Sequence, residues 1–192
     1  SGFADVLRMK RLLFLLCFFG ASLSACAEEM LSVCFNYGCL NQAEVTFSPM
    51  QLDEVQARLA DATDALHERV LLAVVVGRLL GWAGQQSPIH VDRGGNADDD
   101  GVSGKMDCID HSTTTTRLLK MLERHGLLRW HQVLEPVLRR RILIFDHWSA
   151  LVEEKSTAQR YVVDSWFRDN GQPAVIMSLE NWMDWKEVRD DE

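Results

Sequence analysis

The chain has 192 residues, with 47% hydrophobic and 25% charged side chains, 12 Gly and 4 Pro. This is the composition of one folded domain with appendages, and it excludes collagen-like, low-complexity and wholly disordered classes. With 20 Lys and Arg against 28 Asp and Glu the net charge is -8, and no basic stripe interleaved with aromatic residues relieves it, so a nucleic-acid partner is not expected.

At the start of the chain Arg8, Lys10 and Arg11 precede an apolar run from Leu12 to Leu23. The run suits the hydrophobic region of a signal peptide and is too short to span a bilayer as a helix, so residues 1–25 read as a secretory leader. Its end, Leu23-Ser24-Ala25-Cys26, resembles the lipobox of bacterial lipoproteins, in which the Cys is acylated and becomes the first mature residue. That resemblance implies a periplasmic protein anchored in a membrane through lipid on Cys26. Ala27, not Asp, at the next position resembles lipoproteins passed to the outer membrane. Ordinary cleavage after Ser24-Ala25 is the alternative. Residues 26–47 read as an N-terminal linker. Within it Cys34 and Cys39 bracket the turn-forming tetrad Phe35-Asn36-Tyr37-Gly38 and are natural disulfide partners in an oxidising compartment. A zinc site is the other reading of paired Cys, but no second CxxC or HxxxH at ligand spacing accompanies them.

Residues 48–192 read as a single domain. Ser48-Pro49-Met50-Gln51 offers an N-cap, a Pro in the first helical position and a capping-box Gln, opening a region of two helices that runs to about Trp82. The second helix, with Leu71, Leu72, Val74, Val75, Val76, Leu79 and Leu80, is apolar nearly all round and belongs in a core. From Gln85 to Asp107 the pattern dissolves into Gly, Asp, Asn and Pro, a long loop of the functional kind. A helix resumes at Cys108 and stops at Gly126. The period then moves towards two in Trp130–Leu134, Ile142–Val152 and Arg160–Phe167, which predicts an antiparallel sheet, and a short aromatic helix follows near Leu179–Trp185. The fold class expected is α+β.

Three residues in this order carry chemistry. Cys108 opens a helix, where unpaired N–H groups and the helix dipole favour an anion at sulfur. His147 and Asp164 lie on consecutive strands, and a hairpin turning about Lys155 and Ser156 sets them opposite each other on one face. Thiol, imidazole and carboxylate then form a nucleophile, a base and the group that orients the base. His111, His125 and His131 read as structural. The segments Met106-Asp107-Cys108-Ile109-Asp110, His147-Trp148 and Val163-Asp164-Ser165-Trp166 resemble the bacterial transglutaminase-like cysteine proteinases, over roughly Gly104 to Trp185. The resemblance implies a papain-like, transglutaminase-like fold with N-terminal helices and the Cys-bearing helix packed on an antiparallel sheet. It also implies catalytic roles for Cys108, His147 and Asp164, with the Cys108 backbone N–H in an oxyanion hole. No Gln stands shortly upstream of Cys108, and Trp82, Gln85 and Gln86 are the weak candidates for the second oxyanion donor.

The reaction so implied needs no cofactor, but calcium is a candidate. Asn96, Asp98, Asp100, Gly101, Val102 and Asp107 fall at positions 1, 3, 5, 6, 7 and 12 of an EF-hand-like loop, although Asn and Asp replace the usual end residues. Asp107 and Asp110 flank Cys108 and oppose negative charge on its sulfur, a conflict that a cation would relieve. Some members of the resembled family depend on calcium. Three function classes remain: a thiol hydrolase acting on a peptide or protein substrate, a transamidase with the same acyl-enzyme, and a noncatalytic lipoprotein that keeps the fold as a binding module.

Overall fold

Helix α1 (Pro49–Ala60) begins where a reciprocal cap is available: Ser48 Oγ accepts from the Gln51 N–H and Gln51 Oε1 accepts from the Ser48 N–H. A computed structural model describes residues 28–95, 98–141 and 145–186. Asp64 caps α2 (Ala65–Gly84) in the same manner through the His67 N–H. Leu72, Val75, Val76 and Leu79 of α2 are fully enclosed, and each such side chain contributes about 1.5–3 kcal/mol on burial. The two arginines of α2 are paired, Arg69 with Glu154 at 2.9 Å and Arg78 with Glu54 at 3.2 Å. Among the described residues no helix is long and apolar enough to cross a membrane.

The segment expected to be a linker is instead a two-stranded antiparallel sheet, β1 (Glu29–Phe35) with β2 (Asn41–Phe47), in which Val33 faces Ala43 and Leu31 faces Val45. Alternation explains the difference. Leu31, Val33, Val45 and Phe47 all enter the main core, while Ser32 and Gln42 hydrogen-bond each other on the exposed face. Residues 29–47 are therefore part of the domain.

Helix α3 (Cys108–Arg124) packs against β1 and against the second sheet, β3 (His131–Arg141), β4 (Phe145–Glu154), β5 (Arg160–Asp164) and β6 (Val175–Ser178), which is antiparallel in sequence order. Its threonines, poor helix formers, have tertiary work: the buried Thr114 Oγ1 accepts from the Cys34 N–H, and Thr115 hydrogen-bonds Ser165. The sheet has two buried faces. Ala150, Val152 and Val163 join the core of α2 and α3, while Leu151 and Val162 pack on Trp182 of α4 (Leu179–Met183). The architecture is α+β. Between α2 and α3 the chain makes one 3-10 turn at Pro88–Val91 and a loop held close to its neighbours. A Cβ on Gly104, at φ +89°, would collide with the Pro88 carbonyl, and one on Gly94 would meet the Phe167 carbonyl at 2.5 Å.

Candidate active site

Cys108 is the first residue of α3, preceded by the N-cap Asp107. Its own N–H is one of the groups that a helix start leaves without an intrahelical partner. Sγ lies 3.8 Å from the Asp146 carbonyl at the start of β4, which puts the thiol beside His147. The imidazole Nε2 donates to Asp164 Oδ2 at 2.7 Å, and the Cys108 side chain lies close enough to raise the ring's affinity for a proton. With Nε2 taken by the carboxylate, Nδ1 is the nitrogen left for sulfur. The three predicted residues are thus brought together.

The ladder differs from the expected one by two residues: Ala150 faces Val163 where a turn about Lys155 and Ser156 would set it against Tyr161. His147 is therefore diagonal to Asp164. Diagonal neighbours offset by two share a face, so the pair still meets.

Aromatic rings close the site. His147 lies against Trp166 at 4.9 Å, Phe167 at 5.4 Å and Trp182 at 5.7 Å between ring centroids. Asp164 is 2% exposed; its Oδ2 accepts also from Trp182 Nε1 at 3.0 Å and its Oδ1 from the Trp166 N–H at 3.2 Å. Burial opposes a charged imidazole at this position. The hydrogen bonds and charges of Asp164 and Cys108 overcome it and hold His147 up at about 9, so the ring is an imidazolium at neutral pH. Arg139, opposite His147 on β3, stacks on Trp182 and Trp185 and donates to the Trp182 carbonyl at 2.5 Å, which fixes the indole that holds Asp164. Sequence reasoning missed Arg139, because an Arg in a half-buried strand carries no signal of what stacks on it.

A buried hydrogen-bonded chain ties α3, which begins at Cys108, to Ser165, the residue after Asp164 at the end of β5. Asp92 Oδ2 accepts from His111 Nε2 at 2.9 Å, His111 Nδ1 lies 2.9 Å from Ser165 Oγ, and Ser165 Oγ lies 2.9 Å from Thr115 Oγ1. Asp92 Oδ1 takes the Met106 N–H at 2.9 Å, two residues before Cys108. His131 is enclosed and paired with Glu68 at 2.8 Å, and His125 faces Glu29 at 3.3 Å.

Cys34 and Cys39 form the disulfide, with Cα atoms 4.7 Å apart. Asn36, Tyr37, Gly38 and Cys39 all have φ between 56° and 65°, a left-handed run that turns successive N–H groups to one side. Those amides grip the carboxylates flanking Cys108. The Tyr37 N–H donates to Asp110 Oδ2 at 2.8 Å, the Cys39 N–H to Asp110 Oδ1 at 2.6 Å and the Gly38 N–H to Asp107 Oδ2 at 2.9 Å. Asp107 Oδ1 takes the Asp110 N–H at 2.9 Å, completing a capping box. Burial and the neighbouring Asp107 charge push the Asp110 carboxyl well above the usual carboxylate range, against the pull of these amides. Backbone N–H groups therefore offset part, not all, of the charge conflict at these two carboxylates.

Among the described residues, Asp98, Asp100 and Asp107 of the loop expected to bind calcium do not form a close group of metal-binding side chains. Asn96 lies outside the described residues, Asp98 and Asp100 are exposed, and both oxygens of Asp107 are engaged. Among the described residues the one group of three close metal-binding side chains is Cys34, Cys39 and Asp110, and its two sulfurs are joined to each other. Of the oxyanion candidates, Gln86 is bound to both backbone groups of Thr46, Trp82 sits under the Arg78 guanidinium at 4.8 Å, and Gln85 ends α2. The lipidation candidate Cys26 and the leader also lie outside the described residues. No protein-family model, curated protein or solved structure matches the chain.

Proposed function

We propose that the chain is a thiol hydrolase of the transglutaminase-like, papain-like kind, cleaving a peptide or amide bond in a peptide or protein substrate. His147 takes the Cys108 proton, the thiolate sulfur so formed attacks the carbonyl carbon, and the oxygen that becomes negative turns to the Cys108 N–H at the helix start. The imidazolium of His147 gives its Nδ1 proton to the departing amine, leaving a thioester on Cys108. Neutral His147 then takes a proton from water, the hydroxide so formed adds to the thioester, and the collapse of that adduct releases the carboxylic acid and restores the Cys108 thiolate beside the His147 imidazolium. Asp164 holds the ring in one orientation and stabilises its positive charge, and Trp182 and Trp166 hold Asp164. The observation that carries this reading is the imidazole of His147, bound to Asp164 at 2.7 Å and set beside Cys108, whose Sγ lies 3.8 Å from the carbonyl of the preceding residue, Asp146.

The export reading belongs to the same proposal. A disulfide persists in an oxidising compartment, which supports a periplasmic site of action, with Cys26 acylation anchoring the enzyme to a membrane. Substitutions test the catalytic part. Cys108→Ala and His147→Ala each abolish amide hydrolysis while the unfolding transition stays cooperative, because nucleophile and base act as a unit. Full turnover in either variant refutes the proposal.

A further inference from the structure

Near the start of α3 lies an open cleft of about 420 Å³, lined by Ile109, Ser112, Thr113, Glu135, Pro136 and Trp148. Ile109 follows Cys108 in the first turn of α3 and Ser112 stands one helical turn above Cys108 on the same face, so the cleft opens about one turn from the thiol. Its far wall is built by a bulge: Leu134 faces Leu151 and Val137 faces Ser149, so Glu135 and Pro136 together oppose one residue of β4. Proline has no N–H to lose from the ladder and suits this position. Ile109, 39% exposed, is a large aliphatic side chain in the first turn of α3 that the core does not use.

Two of the three polar side chains of the cleft are paired: the Ser112 hydroxyl donates to the Ile109 carbonyl at 3.2 Å, and the Glu135 carboxylate takes Lys120 Nζ at 2.6 Å. What remains for a ligand is the indole of Trp148, the proline ring, the isoleucine and the uncharged Thr113 side chain. Such a lining rewards an apolar side chain and penalises a charged one, which would be partly desolvated there without a partner.

We propose that this cleft binds the side chain next to the attacked carbonyl, on the acyl side of the scissile bond. The enzyme then selects amide bonds that follow a leucine- or methionine-sized aliphatic residue. The inference rests on Cys108 being the nucleophile, and its test separates the two. Full-length protein is treated with chloromethyl ketones of N-acetyl-leucine, N-acetyl-alanine and N-acetyl-glutamate, and with iodoacetamide, which has no side chain. The rate of Cys108 modification is read by mass spectrometry. The leucine reagent reacts roughly tenfold or more faster than the alanine reagent, and the glutamate reagent is slowest. In Trp148→Ala and in Ile109→Ala the leucine-to-alanine ratio falls towards one, an internal ratio that a partial loss of folded protein does not move. Equal rates for the three ketones in a protein whose Cys108 reacts with iodoacetamide overturn the cleft and leave the nucleophile standing. A leucine preference that survives both substitutions does the same. A Cys108 inert to every reagent overturns both.

Discussion

Replacing Asp164 by Asn removes a charge from the centre of the site and little volume. In the native protein Asp164 supplies a hydrogen bond and a full negative charge to His147, and with Cys108 it lifts the ring to about 9 against a burial effect that alone lowers it. With the carboxylate neutralised, only Cys108 is left to offset burial, and the His147 value falls from about 9 towards its ordinary 6.5. At pH 8 a full return to 6.5 would drop the protonated fraction from about 90% to about 3%, roughly thirtyfold, and the Cys108 contribution sets how far short of that the drop stops. Because the imidazolium protonates the leaving amine in the proposed reaction, the alkaline limb of the kcat/KM profile moves down from about pH 9 towards pH 6.5. A stability effect accompanies it. A folded-state pKa raised from 6.5 to about 9 contributes up to about 3 kcal/mol, fully present below pH 6.5 and lost as pH rises through about 9. Proton NMR titration of the His147 ring, the pH profile with a peptide amide, and urea unfolding at pH 6 and pH 10 read all three. A variant whose alkaline limb stays near pH 9 refutes the account of what Asp164 does.

Two further outcomes follow from groups around the triad. His111→Ala leaves Asp92, 2% exposed, without its imidazole donor and cuts the link from α3 to β5, so urea unfolding should show a loss of about 2–4 kcal/mol; a loss under 1 kcal/mol contradicts the strut. Reducing the Cys34–Cys39 bond, which closes a short loop of sequence separation 5, should cost about 2 kcal/mol, read as the shift of the urea midpoint with and without dithiothreitol after Cys108 is blocked; an unchanged midpoint contradicts it.

Much of the site was legible because its signals are local. The Ser48 capping box and the helix start at Cys108 appear in short stretches of sequence and in the structure alike. The pairing of His147 with Asp164 survived an error in register because the error was of two residues, and a period of two keeps a side chain on its face. What stayed hidden depends on partners distant in sequence. Strand β1 alternates correctly, but its apolar face has meaning only against α3, which lies about 80 residues on, as the bond from Cys34 to Thr114 shows. The left-handed run of Asn36 to Cys39 is signalled by Asn36 and Gly38 alone; Tyr37 and Cys39 adopt it because the disulfide and the Asp110 carboxylate of α3 hold them there. Asp107 and Asp110 for this reason looked like uncompensated charges. Strand β6, four residues long, has too little pattern to register, and its pairing with β5 is set by tertiary packing.

The central claim is that Cys108 carries an acyl group during turnover. Mixing the protein with the p-nitrophenyl ester of N-acetyl-leucine, quenching in acid within milliseconds to seconds and measuring intact mass tests it most directly. The account predicts one added N-acetyl-leucyl group, mapped to Cys108 by peptide digestion and lost on return to neutral pH. The native protein without that adduct, or Cys108→Ala carrying the same adduct to the same extent, would contradict it.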